Sequence, residues 1–373
     1  MSTKDKVLTL LIEARNFCAE QNSGEKNVNC SAGGSVSGEK LAAECGVSRA
    51  AIWKAVNALR SEGIAIEGTT NGGYILCDDD IFTAEIFNQT LQNIDFSVSH
   101  VEIFKEIDST NTYAKRILTE CGNLRNPDGS LTEAGKKYHR AIIAAESQTA
   151  GRGRLGRTFV SPAKTGIYLS AIYAPVGGIT NPAKITAFSA VAVCRAIKEL
   201  YGIDCQIKWI NDIYAGGKKI CGILTEGFTN FETGSIESAI IGIGINIREN
   251  PAFFPKEVAK VAGSIESAKK DAENSRQTPT RCHLAALVAK NLFEILEQNA
   301  ESSGTVMQEY KAASFLIGKT LTIHPIIGNS QADYVAKAVD IDDNAALIVE
   351  LADGTRKSLF SGEVSIGSGE FVK

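Results

Sequence analysis

The chain has 373 residues, 44% hydrophobic and 22% charged, with a formal net charge of -4. At roughly 150 residues per domain this length holds two or three domains with real cores, which excludes a disordered or fibrous chain. The slight acidity excludes a general polyanion binder, and no apolar run approaches the roughly 18 residues of a membrane span, so a soluble, cytoplasmic protein without membrane contact is expected. Nine cysteines, an odd number with no Cys-x-x-Cys pair, argue against a disulfide framework or a zinc site and predict reduced, mostly buried thiols.

Residues 4–21 carry Val7, Leu8, Leu11, Ile12 and Phe17 at helical spacing. The Gly/Ser/Asn-rich stretch 22–35 then reads as a mobile insertion. Ser37 can cap a helix that buries Leu41 and Ala42, and Gly46 breaks it. Ser48 can cap a second helix with Ile52, Val56 and Leu59 on one face. Two short capped helices joined around a glycine predict a helix-turn-helix, and the apolar pieces 64–66 and 74–76 around 68–73 predict a wing-like hairpin. On the second helix Trp53, Lys54 and Asn57 face outward with Arg49 and Arg60 flanking, placed to reach base edges and phosphates in a major groove. Residues 1–80 hold eight Lys and Arg against eleven Asp and Glu, so bulk charge does not favour DNA. The competing reading is a generic helical hairpin with a solvated outer face; the wing favours DNA. Asp78 to Asp80 mark a boundary.

Between 81 and 315, helical and strand patterns mix without regular βαβ alternation, with strands expected at 141–145, 167–173, 205–209, 220–225 and 239–243. This predicts an α+β domain around a largely buried sheet. The polar stretch 121–139 reads as a second loop insertion. From Gly318 onward short strands at 320–326, 334–341, 346–351 and 356–360 alternate with turns, the rhythm of a small terminal β-barrel.

After the strand at 141–145 comes Gly151-Arg-Gly-Arg-Leu-Gly-Arg157. Three glycines let backbone amides approach an anion, and Arg152, Arg154 and Arg157 supply charged forks for carboxylate or phosphate. The run formally matches a dinucleotide fingerprint, but Pro162 follows instead of a helix, and no acid lies between Glu146 and Glu199 to hold a ribose. That acid-free stretch carries seven Lys and Arg, which favours a phosphate-bearing ligand over a basic surface turn. Further on, Lys208-Trp-Ile-Asn-Asp212 and Lys219 flank the turn Ala215-Gly-Gly217. A hairpin there brings Lys208 and Lys219 together beside Asn211 and Asp212, unfavourable unless an anion lies between them; Asp212 could also hold Mg²⁺. Alone, Lys218 and Lys219 read as a solvated hairpin tip. In Ile241-Gly-Ile-Gly-Ile-Asn246 one strand face has no side chains, which suits a flat ligand or close packing against a helix.

Together with Ser37-Gly-Glu-Lys-Leu, Ser48-Arg-Ala-Ala-Ile-Trp-Lys, Asp108-Ser-Thr-Asn111, Lys219-Ile-Cys-Gly-Ile-Leu and Gly362-Glu-Val-Ser365, these motifs resemble the bifunctional biotin protein ligases and biotin operon repressors of bacteria. The resemblance spans nearly the whole chain. It implies a winged helix-turn-helix over 1–80, a mixed-sheet catalytic domain related to class II aminoacyl-tRNA synthetases over 81–316, and an SH3-like barrel over 317–373. It also implies a reaction in which biotin and ATP give biotinyl-5′-adenylate, with Mg²⁺, and biotin then passes to a lysine of a biotin carboxyl carrier protein, the carrier domain of acetyl-CoA carboxylase or another biotin carboxylase.

Carried over by motif, the biotin site takes Ser109, Thr110, Asn111, Gln148, Gly151, Arg152, Arg154, Lys219, Gly222, Gly242 and Gly244. The ATP or adenylate site takes Arg154, Arg157, Phe159, Asn211 and Asn246; catalysis falls to Arg154, Lys208, Asp212 and Lys219, with Asp212 toward the metal. Ser48, Arg49, Trp53, Lys54 and Asn57 would meet operator DNA of biotin genes, read by a homodimer formed with ligand bound. The chain departs from the pattern with Ile210 where relatives often have Pro, with Phe159 where some have an adenine-stacking Trp, and with the insertions 22–35 and 122–139. A biotin-sensing transcription factor without catalysis and a lipoate- or octanoate-transferring enzyme are the alternatives; the winged helix and Gly-Arg loop favour biotin over the latter.

Overall fold

A computed structural model describes residues 2–21, 34–61, 64–69, 73–77, 80–229, 234–249, 256–269, 280–298, 300–325 and 332–366. The chain divides into two compact units, residues 1–89 and 90–373. No helix among the described residues is long and apolar enough to cross a membrane.

The first unit holds α1 (Thr3–Gln21), α2 (Gly38–Cys45), α3 (Arg49–Ser61) and the hairpin β1 (Ile66–Thr69) with β2 (Gly73–Leu76). Ser37 Oγ accepts the Lys40 N–H at 3.1 Å, Gly46 closes α2 in the left-handed region, and Ser48 Oγ accepts the Ala51 N–H at 3.3 Å. Val7, Leu11, Leu41, Ile52, Val56, Leu59, Ile66 and Leu76 share one core. Ala42, expected inside, is only half-buried; Cys45 joins Leu41 because i and i+4 stack on one helix face and i+1 turns away. Val36 pairs with Tyr74, so the chain entering α2 lies along the hairpin, and a Cβ on Gly73 would come within 2.5 Å of the Val36 carbonyl. Residues 22–33 of the expected insertion, and Asp78 and Asp79 of the expected boundary, lie outside the described residues. Helix α4 (Ala84–Asn93) spans the division between the units.

The second unit is built on a seven-stranded sheet. Its strands are β3 (Val101–Phe104), β4 (Ala141–Ala145), β5 (Gly166–Tyr173), β6 (Gln206–Lys208), β7 (Asp212–Ala215), β8 (Lys218–Thr229) and β9 (Ile236–Asn246), in the order β3-β4-β5-β9-β8-β7-β6. Only the β3–β4 pair is parallel. Every residue of β4 and β5 is buried, so both faces of the sheet centre are covered. Helix α5 (Thr110–Cys121) packs on β4, β5 and β9, and α7 (Pro182–Tyr201) on β7, β8 and β9. Two short helices, α8 (Lys256–Val261) and α9 (Ile265–Lys269), follow β9, and α10 (Arg281–Leu296) lies against α7 and β5.

The stretch 121–139 is not the loop its polar composition suggests. It contains α6 (Glu133–Tyr138), capped by Thr132 Oγ1, which accepts the Gly135 N–H at 3.0 Å. Leu124 joins the core with Ile117 and Ala141, and Arg125 Nε donates to the Ala174 carbonyl at 2.7 Å. Leu124, with Ala134 and Tyr138 packed against the same core, and the Thr132 cap fold it down.

Helix α11 (Ala300–Ala313) leads to five antiparallel strands, β10 (Thr320–His324), β11 (Tyr334–Ile341), β12 (Leu347–Glu350), β13 (Arg356–Leu359) and β14 (Glu363–Ile366), in the order β13-β12-β11-β10-β14. None of the seven described cysteines is in a disulfide; of these only Cys45, Cys221 and Cys282 are buried, fewer than expected, and Cys121 is exposed.

Candidate functional site

The site lies on β8 and β9. Their register sets Gly222 opposite Gly244 and Leu224 opposite Gly242, so a strip of sheet carries almost no side chain. Two residues cover it. A Cβ on Gly242 would come within 2.3 Å of Asn111 Oδ1, and one on Gly244 within 2.5 Å of the Phe159 ring. Both covering residues line a cavity of about 140 Å³.

One side of this cavity is a chain of neutral polar groups at the start of α5. Ser109 caps the helix, the Thr110 N–H donates to Gln148 Oε1 at 2.9 Å, and Gln148 Nε2 donates to Ser161 Oγ at 2.9 Å. Ser170 Oγ lies 2.7 Å from Thr110 Oγ1 and 2.6 Å from Asn111 Oδ1. Asn111 Nδ2 donates to Glu226 at 2.9 Å, and Arg152 stands 3.1 Å from the same carboxylate. These donors and acceptors are fixed in advance, an arrangement suited to an uncharged hydrogen-bonding group.

Cations gather at the other side. Gly216 and Gly217, both at positive φ, close the tight β7–β8 hairpin. Just after it the ladder slips: Ile213 pairs with Cys221 but Tyr214 with Lys219, leaving Ile220 as an extra residue. Strand side chains alternate, so Lys219 and Gly222 would otherwise face opposite ways; the bulge puts them on one face, with the Lys219 amine 3.4 Å from a Cβ on Gly222. Lys219 Nζ lies 2.6 Å from Asp212 Oδ1, and Asp212 pairs across the ladder with Lys208. Burial pushes the Lys208 amine below its usual pKa; Asp212 opposes that fall and Lys219 adds to it.

The Gly-Arg loop reaches over this cluster to the C-terminal strands. Arg154 donates to Asn211 Oδ1 at 2.9 Å and to the Gly362 carbonyl at 3.0 Å, while Arg157 lies 2.6 Å from Glu363. Gly151 has no room for a side chain, since a Cβ would come within 2.3 Å of the Phe159 carbonyl. Behind the loop, Trp209 Nε1 donates to the Ala345 carbonyl at 2.8 Å and Tyr310 to the Ile210 carbonyl at 3.0 Å, which holds the turn before Asp212.

Of the residues singled out from the sequence, Ser109, Thr110, Asn111, Gln148, Arg152, Arg154, Arg157, Phe159, Asn211, Asp212, Lys219, Gly222, Gly242 and Gly244 line the cavity. Gly151, Lys208 and Asn246 do not; Asn246 Nδ2 donates to the Gly263 carbonyl at 3.1 Å. Lys218 is exposed, as a hairpin tip should be, but Lys219 is not. Sequence reasoning missed Tyr168 and Glu363 in the lining and Ser170 and Glu226 behind it. Burial pushes the Tyr168 phenol up to about 12, and it donates to the Pro162 carbonyl at 2.9 Å. Glu363 lay in a quoted motif, so its charge was a readable signal; Ser170 carried none.

Among the described residues no three His, Cys, Asp or Glu converge as a metal cage. Asp212 offers one half-buried carboxylate, its Oδ1 2.6 Å from Lys219 Nζ, and Mg²⁺ is commonly held by one or two carboxylates together with phosphates. In the first unit, Trp53 is 58% exposed and Lys54 is exposed beside it. Asn57 is half-buried and accepts from Arg60 at 3.4 Å, and Arg49 pairs with Glu39 at 3.1 Å.

The chain is 30% identical over 332 residues to the bifunctional ligase/repressor BirA of Bacillus subtilis (strain 168), covering 89% of this chain and 94% of that relative. The chain belongs to the family of bifunctional biotin protein ligases and repressors. BirA of Escherichia coli (strain K12) is 28% identical over 338 residues, 90% of this chain and 94% of the relative. Residues 128–246 match the biotin/lipoate A/B protein ligase family, 31–75 an HTH domain and 325–367 the biotin protein ligase C terminal domain. In fold, this biotin protein ligase family member is similar to a biotin protein ligase from Aquifex aeolicus solved in complex with biotin and ATP, with a TM-score of 0.55 and 23% identity over 71% of this chain and 97% of that one. The expected architecture of an N-terminal helix-turn-helix, a mixed-sheet ligase domain and a C-terminal domain is thereby met.

Proposed function

We propose that the chain joins biotin to ATP as biotinyl-5′-adenylate, transfers biotin to a lysine of a biotin carboxyl carrier domain in the cytoplasm, and represses biotin genes. One observation carries the enzymatic reading. A single cavity has fixed neutral donors and acceptors from Thr110, Asn111 and Gln148 on one side and Lys219, Asp212 and Arg154 on the other. The ureido ring belongs on the neutral side and the carboxylate at Lys219. A biotin carboxylate oxygen attacks the α-phosphorus and pyrophosphate leaves. Lys219 and Arg154 offset the charge that builds on the phosphoryl oxygens. Lys208 adds positive charge, Mg²⁺ held at Asp212 would neutralise phosphate charge, and Phe159 lies toward the adenine. The carrier lysine amine then attacks the acyl carbon and AMP departs, so no nucleophile of the enzyme is needed. The domain bounds 1–80, 81–316 and 317–373 divide these tasks, with Ser48, Arg49, Trp53, Lys54 and Asn57 meeting operator DNA.

Purified protein incubated with biotin and ATP should release pyrophosphate only when both are present, and should label an added carrier domain. Binding of both ligands without pyrophosphate release would leave a sensor and refute the ligase.

A further inference from the structure

Glu226 lies behind the cavity wall, not in it, and binds two residues that are in it. Its carboxylate accepts from Asn111 Nδ2 at 2.9 Å and stands 3.1 Å from the Arg152 guanidinium. Asn111 cannot reorient by itself. It is 4% exposed, its Oδ1 is 2.6 Å from Ser170 Oγ, and its amide also donates to the Leu224 carbonyl at 3.3 Å. Arg152 is the more exposed partner, and Glu226 sits where it cancels the charge of that guanidinium.

Glu226 follows Gly222 by four residues on β8, about 13 Å at the rise of a strand. Lys219 lies at the Gly222 end. Among the described residues, the lining at that end carries Lys219, Arg154 and Arg157 against the carboxylates Asp212 and Glu363, and Lys208, outside the lining, adds to the positive charge. At the Glu226 end Arg152 meets Glu226. The two ends of the cavity therefore differ in charge, and Glu226 widens the difference.

We propose that Glu226 is a positioning residue that sets the polarity of the pocket. By neutralising Arg152 and holding the Asn111 amide, it reserves that end for an uncharged hydrogen-bonding ring and leaves the carboxylate of the ligand to Lys219. A carboxylate entering the Arg152 end would meet the like charge of Glu226. Without Glu226, Arg152 would become a second anion site, and a linear dicarboxylate could bridge Arg152 and Lys219. This inference rests on the biotin-ligase reading and names what enforces the direction of binding.

The test compares wild type, Glu226→Gln and Glu226→Asp by pyrophosphate release, with octanedioate as competitor against biotin. In Glu226→Gln the KM for biotin should rise about tenfold, the size of one lost charge-assisted hydrogen bond. Its KM for ATP and its kcat should hold within about twofold, and octanedioate should inhibit about tenfold more tightly than in wild type. Glu226→Asp, which keeps the charge but shortens the reach to Asn111, should raise the biotin KM and still reject octanedioate. That variant carries the test if Glu226→Gln does not fold. Unchanged biotin KM and octanedioate inhibition in the variant that folds, or a fall in kcat with both KM values alike, would overturn the proposal. Absence of pyrophosphate release in wild type itself would instead overturn the ligase reading.

Discussion

Lys219 shows how much one residue can carry and how local its placement is. Its Nζ stands 2.6 Å from Asp212 on the cavity face, whereas Lys218, one residue earlier on a strand with alternating faces, is exposed. Lys219→Ala should therefore remove a transition-state contact worth about 2–4 kcal/mol that Lys218 cannot replace. Adenylate formation measured by pyrophosphate release should drop by about one and a half to three orders of magnitude, at roughly 1.36 kcal/mol per decade. Near wild-type turnover would remove Lys219 from the chemistry. Residues of this kind were legible because their partners are close in sequence: Lys208, Asn211, Asp212 and Lys219 lie on three successive antiparallel strands and the turn between the first two. Glu226 and Ser170 were not, since their partner Asn111 is 115 and 59 residues away and only the folded sheet brings them together.

At the scale of elements, α3 presents Trp53 and Lys54 to solvent while Ile52, Val56 and Leu59 fill the core of the first unit. Replacing Trp53 and Lys54 together by Ala should abolish binding to the promoter of the biotin genes in a mobility-shift assay and leave ligation unchanged. Loss of ligation in that variant would mean the N-terminal unit does something else. A second element-level feature is His139, at the end of α6. Its Nδ1 accepts the Ala174 N–H at 3.2 Å and its ring lies against Tyr173. Burial, with Arg125 and Arg140 nearby, pushes its pKa down from 6.5 to about 4. The unfolded chain therefore takes up a proton before the folded one does, so this contribution is present above pH 6.5 and lost as pH falls toward 4. Urea midpoints should decline over that window, and His139→Gln should decline less; identical slopes would show that His139 does not titrate in this way. Elements differed in how well they could be read. Strand β4 is a continuous apolar run, and β5 is one apart from Gly166 and Ser170. Strands β3, β7 and β14 span four residues each and mix charge with apolar residues, so their pairing is set by neighbours and not by pattern. Helix α6 was hidden for the same reason, under a polar sequence anchored by Leu124.

For the molecule as a whole, Arg154 and Arg157 tie the Gly-Arg loop to Gly362 and Glu363, so the start of β14 helps to hold the cover of the cavity. Arg154→Gly should still allow adenylate synthesis but let the intermediate escape, because a loop without that hold cannot keep it from water. Free biotinyl-adenylate and labelling of bystander lysines should both increase, and a variant that makes adenylate yet labels only the carrier would contradict this. Residues 1–80 lack a surplus of cations, so tight operator binding calls for two copies on two half-sites. Biotin with ATP, but not ATP alone, should shift monomer to dimer in analytical ultracentrifugation and tighten promoter binding, since loops ordered by the adenylate need not be ordered again on association. Ligand that changed neither mass nor DNA affinity would refute the coupling.

The extra residue at Ile220 has a consequence for how this site can change. It lets the three steps from Lys219 to Gly222 cross an even number of ladder positions, so the lysine shares the cavity face with the glycine while Ile220 and Cys221 stay buried. Deleting Ile220 would keep that parity, because Lys219 opposite Tyr214 and Gly222 opposite Asp212 would then be two residues apart in a regular ladder. Smoothing the ladder at unchanged length would instead turn Lys219 to the other face and bring position 220 to the cavity. The cation is thus tied to an even count along β8, which a shorter strand preserves and a straightened one of the same length does not.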